Sequence, residues 1–265
     1  MKIFFYAPFK PLGHDNPSGD LVIGTGLFAF LNEQGHQLHP ASRWRARWFY
    51  WKPGQWLAAL REIYRLGYTP RPWRPDLWLT YHTYYKAPDI LGPRAAQRLK
   101  VPYVIFQGMY ATKRRRDWRT RPGFMLNRRA LLSARHVFPN RREDWVNLKR
   151  LLPEARLSYV APGIRPREFT FDPKARRRLR SDWGVGSKPV ILSAAMFRPD
   201  VKTKGLRWVI RTLALLRRKG RDFELVIAGD GKTRAQLEAL ARTHLPGQVR
   251  FLGRISRERM YQVYS

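Results

Sequence analysis

The chain has 265 residues, long for one domain and comfortable for two at about 100–200 residues each. Hydrophobic residues make up 44% and aromatics 14%, enough for a sizeable core, so wholesale disorder is excluded. Cysteine is absent, which removes disulfides, thiolate nucleophiles, iron–sulfur clusters and Cys-ligated zinc. The 52 Lys+Arg outweigh 19 Asp+Glu to give +33.

In chain order, the run 2–7 is short, apolar and β-favouring, so it reads as a buried parallel strand. A loop rich in Gly, Pro, Asn and Asp follows to Asp20, and residues 21–31 carry apolar side chains at helical spacing, closed near Gly35. Strand, glycine-bearing loop and helix make the first unit of a doubly wound sheet. Similar units recur: strands at 76–82, 101–106, 136–138 and 157–161, and helices at 55–66, 88–99, 124–133 and 141–151. Alternation of this kind predicts a mostly parallel sheet over residues 1–163. Pro162, Gly163, Pro166 and Pro173 then cluster with the basic run 176–180, which marks residues 164–188 as a linker. The alternation restarts over 189–265, with strands at 189–195, 223–228 and 249–252 and helices at 205–218 and 233–243. A further helix starts near Ser256. Two Rossmann-like domains are expected, the second incomplete. A three-stranded parallel sheet leaves an apolar edge, which calls for more chain or a partner chain.

Neither a secretory signal nor an apolar run of 18 or more residues is found, so the reading is cytoplasmic, with a peripheral position on the inner face of the cell membrane open. The charge is spread over both halves, +19 in residues 1–170 and +14 in 171–265. Nucleic acid, an anionic membrane and polyanionic small molecules all suit such a balance, and so does plain coding bias.

The strongest constellation follows the strand at 189–195. Arg198 leaves its carboxyl end, and Lys204-Gly205 is expected to open the next helix. Both cations would point into the crevice where open α/β sheets bind ligands. The helix N-terminus adds free N–H groups, together a place for a diphosphate. Downstream, Gly229-Asp230-Gly231 ends the second strand and Gly253-Arg254-Ile255 the third.

In order and spacing these motifs resemble the donor-binding half of the family 4 glycosyltransferases, which have the GT-B fold. The resemblance implies that Arg198 and Lys204 hold the diphosphate of a UDP- or GDP-linked sugar. It gives Gly205 and the Gly229–Gly231 turn to the donor, and lets the backbone of Gly253, Arg254 and Ile255 read the nucleobase. More loosely, Pro17-Ser18-Gly19-Asp20 resembles the glycine loop facing the donor phosphates, Gly35-His36 a helix end, and 161–164 the strand entering the linker. It further implies transfer with retained anomeric configuration, no metal and no cofactor besides the donor substrate. The family's Glu-x7-Glu element would lie just beyond residue 265, so a chain truncated in its donor domain, or one needing a partner, is the alternative reading.

Acceptor-side candidates are fewer. Gln107 stands where the family often has His; it can hydrogen-bond a sugar hydroxyl but cannot move a proton near neutrality. His82 ends the preceding strand. Lys113, Arg114, Arg115 and Arg116 form a cationic run able to grip an anionic acceptor such as a lipid-linked phosphate, and the interleaved Arg and Trp of 43–51 suit an anionic membrane surface. A glycan or glycolipid of the cell envelope is therefore the expected acceptor. Arg–aromatic interleaving also suits single-stranded nucleic acid, but no recognised nucleic-acid-binding motif accompanies it.

Overall fold

The computed structural model describes residues 1–15, 18–163 and 166–265, and the chain divides into two units between Gly163 and Ile164. In the first, five strands are β1 (Lys2–Tyr6), β2 (Gln37–Pro40), β3 (Leu77–Thr83), β4 (Tyr103–Gly108) and β5 (His136–Phe138), all parallel in the order β2-β1-β3-β4-β5. The helices are α1 (Gly19–Glu33), α2 (Pro53–Gly67), α3 (Leu91–Leu99), α4 (Arg121–Ser133) and α5 (Arg142–Leu148).

The apolar run of β1 is explained by burial on both faces. Ile3 and Phe5 join one cluster with Leu79 and Tyr81, while Phe4 and Tyr6 join another with Trp78 and Ile105. α1 covers the first face, where Phe28 meets Phe5 edge-on at 5.4 Å. Residues of α2, α3 and α4 pack against the other. Strand order reverses between β1 and β3, so the ligand crevice of such a sheet opens beyond their carboxyl ends.

Asp89 ties β3, α3 and β4 together. Its carboxylate accepts from Thr80 Oγ1 (2.5 Å), Tyr103 OH (2.9 Å) and the backbone N–H groups of Leu91 and Gly92 (2.9 and 2.8 Å).

The second unit holds α6 (Pro173–Asp182), β6 (Val190–Ala194), α7 (Val201–Arg218), β7 (Glu224–Ala228), α8 (Arg234–His244), β8 (Val249–Gly253) and α9 (Arg257–Tyr264). Its sheet runs β6-β7-β8, all parallel, and Leu206, Ile210 and Leu213 of α7 with Leu237 and Ala241 of α8 pack on Leu225 and Ile227. Among the described residues no helix is long and apolar enough to cross a membrane.

Several expectations are corrected. The 157–161 stretch forms no strand; it runs beside β5 with one bridge, Val137 to Leu157, because Tyr159 and Val160 face solvent. β2 is an extra edge strand that ends on a proline, and edge position is where a sheet tolerates one. Residues 164–188 contain a helix, capped by Asp172, whose carboxylate accepts from Lys174 N and Ala175 N at 2.9 and 3.0 Å. α1 starts at Gly19 and α7 at Val201, each earlier than expected.

Candidate functional site

In the second unit three turns at the carboxyl ends of β6, β7 and β8 are locked together. Ala195 N donates to Ala228 O (3.0 Å), Phe197 N to Asp230 O (3.0 Å), and Gly229 N to Gly253 O (2.7 Å). Gly229 and Gly231 have φ of +141° and +149°, and a side chain at either would strike the backbone carbonyl of Ala195 or Phe197. The glycines of this turn are therefore needed for the close approach of two loops. Phe197 is fully buried beneath them, and Thr203 in α7 fixes the exit by donating to Arg198 O and pairing with Thr233 Oγ1 at 2.7 Å.

Arg198 leaves this framework exposed, its Nη2 resting 2.9 Å from Met196 Sδ, and Lys204 is exposed on α7. Among the described residues neither makes an ion pair, although carboxylates at Asp230 and Glu238 are engaged by Arg234. The expected role of the helix end is corrected. Lys204 and Gly205 lie one turn inside α7, and its N-terminus is capped by Asp200, whose Oδ1 accepts from Lys202 N at 2.8 Å. A carboxylate at that position competes with a phosphate for the N–H groups, so anion attraction here rests on the two side chains.

Gly253 (φ +72°) makes the turn after β8, Arg254 is exposed and Ile255 half-buried. Arg234 went unnoticed in the sequence. Its Nε is 2.7 Å from Glu238 Oε1 and its Nη1 3.5 Å from Asp230 Oδ2, which sets the guanidinium beside the Gly253 turn. The signal lies in the i, i+4 spacing of Arg234 and Glu238 at the start of α8, with Asp230 in the turn before it.

In the first unit Gly19 is the first residue of α1, and Ser18 Oγ accepts from Leu21 N at 3.3 Å; Pro17 and Ile164 lie outside the described residues. Asp20 Oδ1 stands 3.2 Å from His82 Nδ1, a close approach without hydrogen-bond alignment. His82 is buried, stacked on Tyr84 with centroids 4.8 Å apart. Gln107 at the end of β4 is buried too, and its Oε1 accepts from Asn140 Nδ2 at 3.3 Å. Both His82 (φ +58°) and Gln107 (φ +63°) adopt left-handed backbone, which costs a side-chain-bearing residue roughly 1–2 kcal/mol. Strain at two adjacent strand ends is a mark of a functional edge.

Nearby, Asn140 Oδ1 and Asp144 Oδ2 have no hydrogen-bond partner among the described residues, in side chains whose residues are only 5% and 7% exposed. Burial pushes the Asp144 carboxyl up, against the pull of Arg141, whose Nε is 4.0 Å away. The cationic run at 113–116 is less uniform than its sequence. Lys113, Arg115 and Arg116 are exposed, whereas the Arg114 guanidinium lies 4.5 Å over the Tyr85 ring with its Nε buried. The segment just after the run meets the 43–51 stretch: Trp51 Nε1 donates to Arg119 O at 2.9 Å and its ring meets Trp118 at 5.8 Å.

Two α/β units, each with a parallel sheet and its candidate residues at the carboxyl edge, give the chain the GT-B architecture. It is similar to the Anabaena protein HepE in complex with UDP and glucose, with a TM-score of 0.62, 16% identity, and coverage of 99% of this chain and 71% of that one. It is also similar to UDP-GlcNAc 2-epimerase from Neisseria meningitidis (TM-score 0.61, 12% identity, 99% and 75% covered), so the fold by itself does not select a reaction.

Sequence adds the sharper statement. Residues 188–265 match the family described as Glycosyl transferases group 1. Over 89 residues the chain is 36% identical to the GDP-mannose-dependent alpha-(1-6)-phosphatidylinositol monomannoside mannosyltransferase of Mycolicibacterium smegmatis, covering 34% of this chain and 22% of the relative. The matched stretch thus spans about a fifth of that relative's length.

Proposed function

We propose that the chain acts as a glycosyltransferase of family 4 type, moving a sugar from a UDP- or GDP-linked donor to a cell-envelope glycan or glycolipid at the membrane's inner face. The observation that carries the reading is the pair Arg198 and Lys204. Both are exposed and free of ion pairs among the described residues, inside the stretch that matches the transferase family. A nucleoside diphosphate leaving the anomeric carbon gains negative charge on its departing oxygen. Two cations beside glycine turns would stabilise that charge electrostatically without a metal. The carbon–oxygen bond to the donor phosphate breaks as a bond to the acceptor hydroxyl forms on the same face, and the hydroxyl proton leaves with the phosphate. Anomeric configuration is then retained.

The relative's glycolipid acceptor and GDP-mannose donor, and the UDP bound by the fold neighbour, support the substrate classes. His82 and Gln107 suit contacts to sugar hydroxyls at the first sheet's edge. Titration of the full chain with UDP and GDP tests the donor half. Binding is expected, and Arg198→Ala or Lys204→Ala should each cost on the order of 10²-fold in turnover of the matching nucleotide-sugar. Preference for a single-stranded oligonucleotide over either nucleotide would overturn the reading. Nucleotide binding without transfer would point to the partner-dependent form.

A further inference from the structure

A groove of about 560 Å³ lies between the segment that follows β2 and the start of α2, and its lining includes four cations, Arg43, Arg45, Arg47 and Lys52, with no carboxylate. A second groove of about 620 Å³ shares Arg43 and Trp44 with it and adds Arg61 and Arg65. The one acid there, Glu62, is already occupied by Arg65 at 2.7 Å and Ser42 Oγ at 2.6 Å. The cations are held by backbone anchoring of their segment across the sheet's carboxyl edge. Arg45 Nε donates to Phe9 O (3.0 Å), Ala46 N to Pro8 O (2.8 Å) and Trp48 N to Lys86 O (2.7 Å). Burial lowers the Arg45 guanidinium pKa, and the like charge of Arg47 lowers it further. Like charges crowded in a concave surface without a carboxylate favour an anion from outside.

A second observation identifies the kind of anion. α2 has apolar side chains on two opposite faces. Ala59, Ile63 and Leu66 are buried, while Leu57 (72% exposed), Leu60 (57%) and Tyr64 (61%) form a stripe toward solvent. An outward aliphatic stripe beside arginines is the pattern of a helix lying in a bilayer interface. Nucleic acid has no use for Leu57 and Leu60, and the groove's indoles already have aromatic neighbours. Trp44 meets Phe49 edge-on at 5.1 Å, and Trp48 meets Tyr50 at 5.8 Å.

We propose that this groove binds the phosphate of an anionic phospholipid, with the outward stripe of α2 resting among the acyl chains. The proposal deepens the membrane part of the reading above, and its test does not depend on sugar transfer. The full chain should float with vesicles of phosphatidylcholine plus phosphatidylglycerol and not with phosphatidylcholine alone. Arg43→Gln/Arg47→Gln/Lys52→Gln, which spares the structural Arg45, should weaken that partition roughly 100-fold. Arg43→Lys/Arg47→Lys should restore it to within a few-fold, which a mere folding defect would not. Leu57→Ser/Leu60→Ser should leave binding that added salt abolishes.

Partition indifferent to phosphatidylglycerol, or unchanged in the triple variant, would overturn the proposal. So would displacement from vesicles by soluble glycerol phosphate or by a single-stranded oligonucleotide at lower concentration than the lipid. A chain that binds vesicles but neither UDP nor GDP would remove the donor reading and leave this one standing.

Discussion

At the carboxyl edge of the second sheet the tight turns are made by glycines, and Arg198 and Lys204 stand out from them into solvent. At the same edge of the first sheet the left-handed positions belong to His82 and Gln107, residues with side chains, and the polar groups around them are buried. The difference teaches two ways to present chemistry. Glycine lets backbone come close to backbone, which suits the bulky anion proposed for Arg198 and Lys204. Strained side-chain-bearing residues instead fix particular polar atoms, such as Gln107 Oε1, which suits a ligand read hydroxyl by hydroxyl.

The largest effect is expected from breaking the second edge. Gly229→Ala combines a forbidden φ with a clash against Ala195 O, and should destabilise the second unit by more than about 3 kcal/mol. Hydrogen exchange should then show β6, β7 and β8 losing protection while the strands of the first sheet keep theirs.

A smaller effect sharpens the first edge. Because burial raises the Asp144 carboxyl, the folded chain binds that proton more tightly than the unfolded chain does. The resulting stability is present below the ordinary carboxylate range and is lost as pH rises through the raised value. Asp144→Asn cannot lose it. Denaturant titrations should show the variant gaining on the natural chain toward neutral pH, with the difference vanishing in acid. The smallest change comes from Gly205, which sits inside α7 with open space around its Cα. Gly205→Ala should raise stability by about 0.5–1 kcal/mol, visible as a higher melting temperature.

Much of this was legible from pattern. The alternation of apolar runs and helical periods gave both parallel sheets, because buried parallel strands such as Lys2–Tyr6 and Glu224–Ala228 are nearly all apolar. Edge elements were harder. β2 reads Gln-Leu-His-Pro and is half-buried, so no run marks it, and Leu157 to Ala161 looks like a strand yet leaves Tyr159 and Val160 in water. The α7 start was misplaced because Gly205 resembles a beginning, whereas the Pro-Asp pair before Val201 was the true cap signal. The contact of His82 with Asp20, and of Gln107 with Asn140, joins residues 62 and 33 positions apart, and only the sheet order brings them together.

Asp89 carries a last consequence. In a chain with 52 Lys+Arg, this carboxylate is satisfied by two hydroxyls and two amides, neutral dipoles rather than counter-charges. Dissolved ions screen charge against charge and scarcely touch such a knot. Raising ionic strength therefore eases the mutual repulsion of the surplus guanidinium groups while the interior of the first unit keeps its grip, so brine should be kinder to this molecule than dilute buffer.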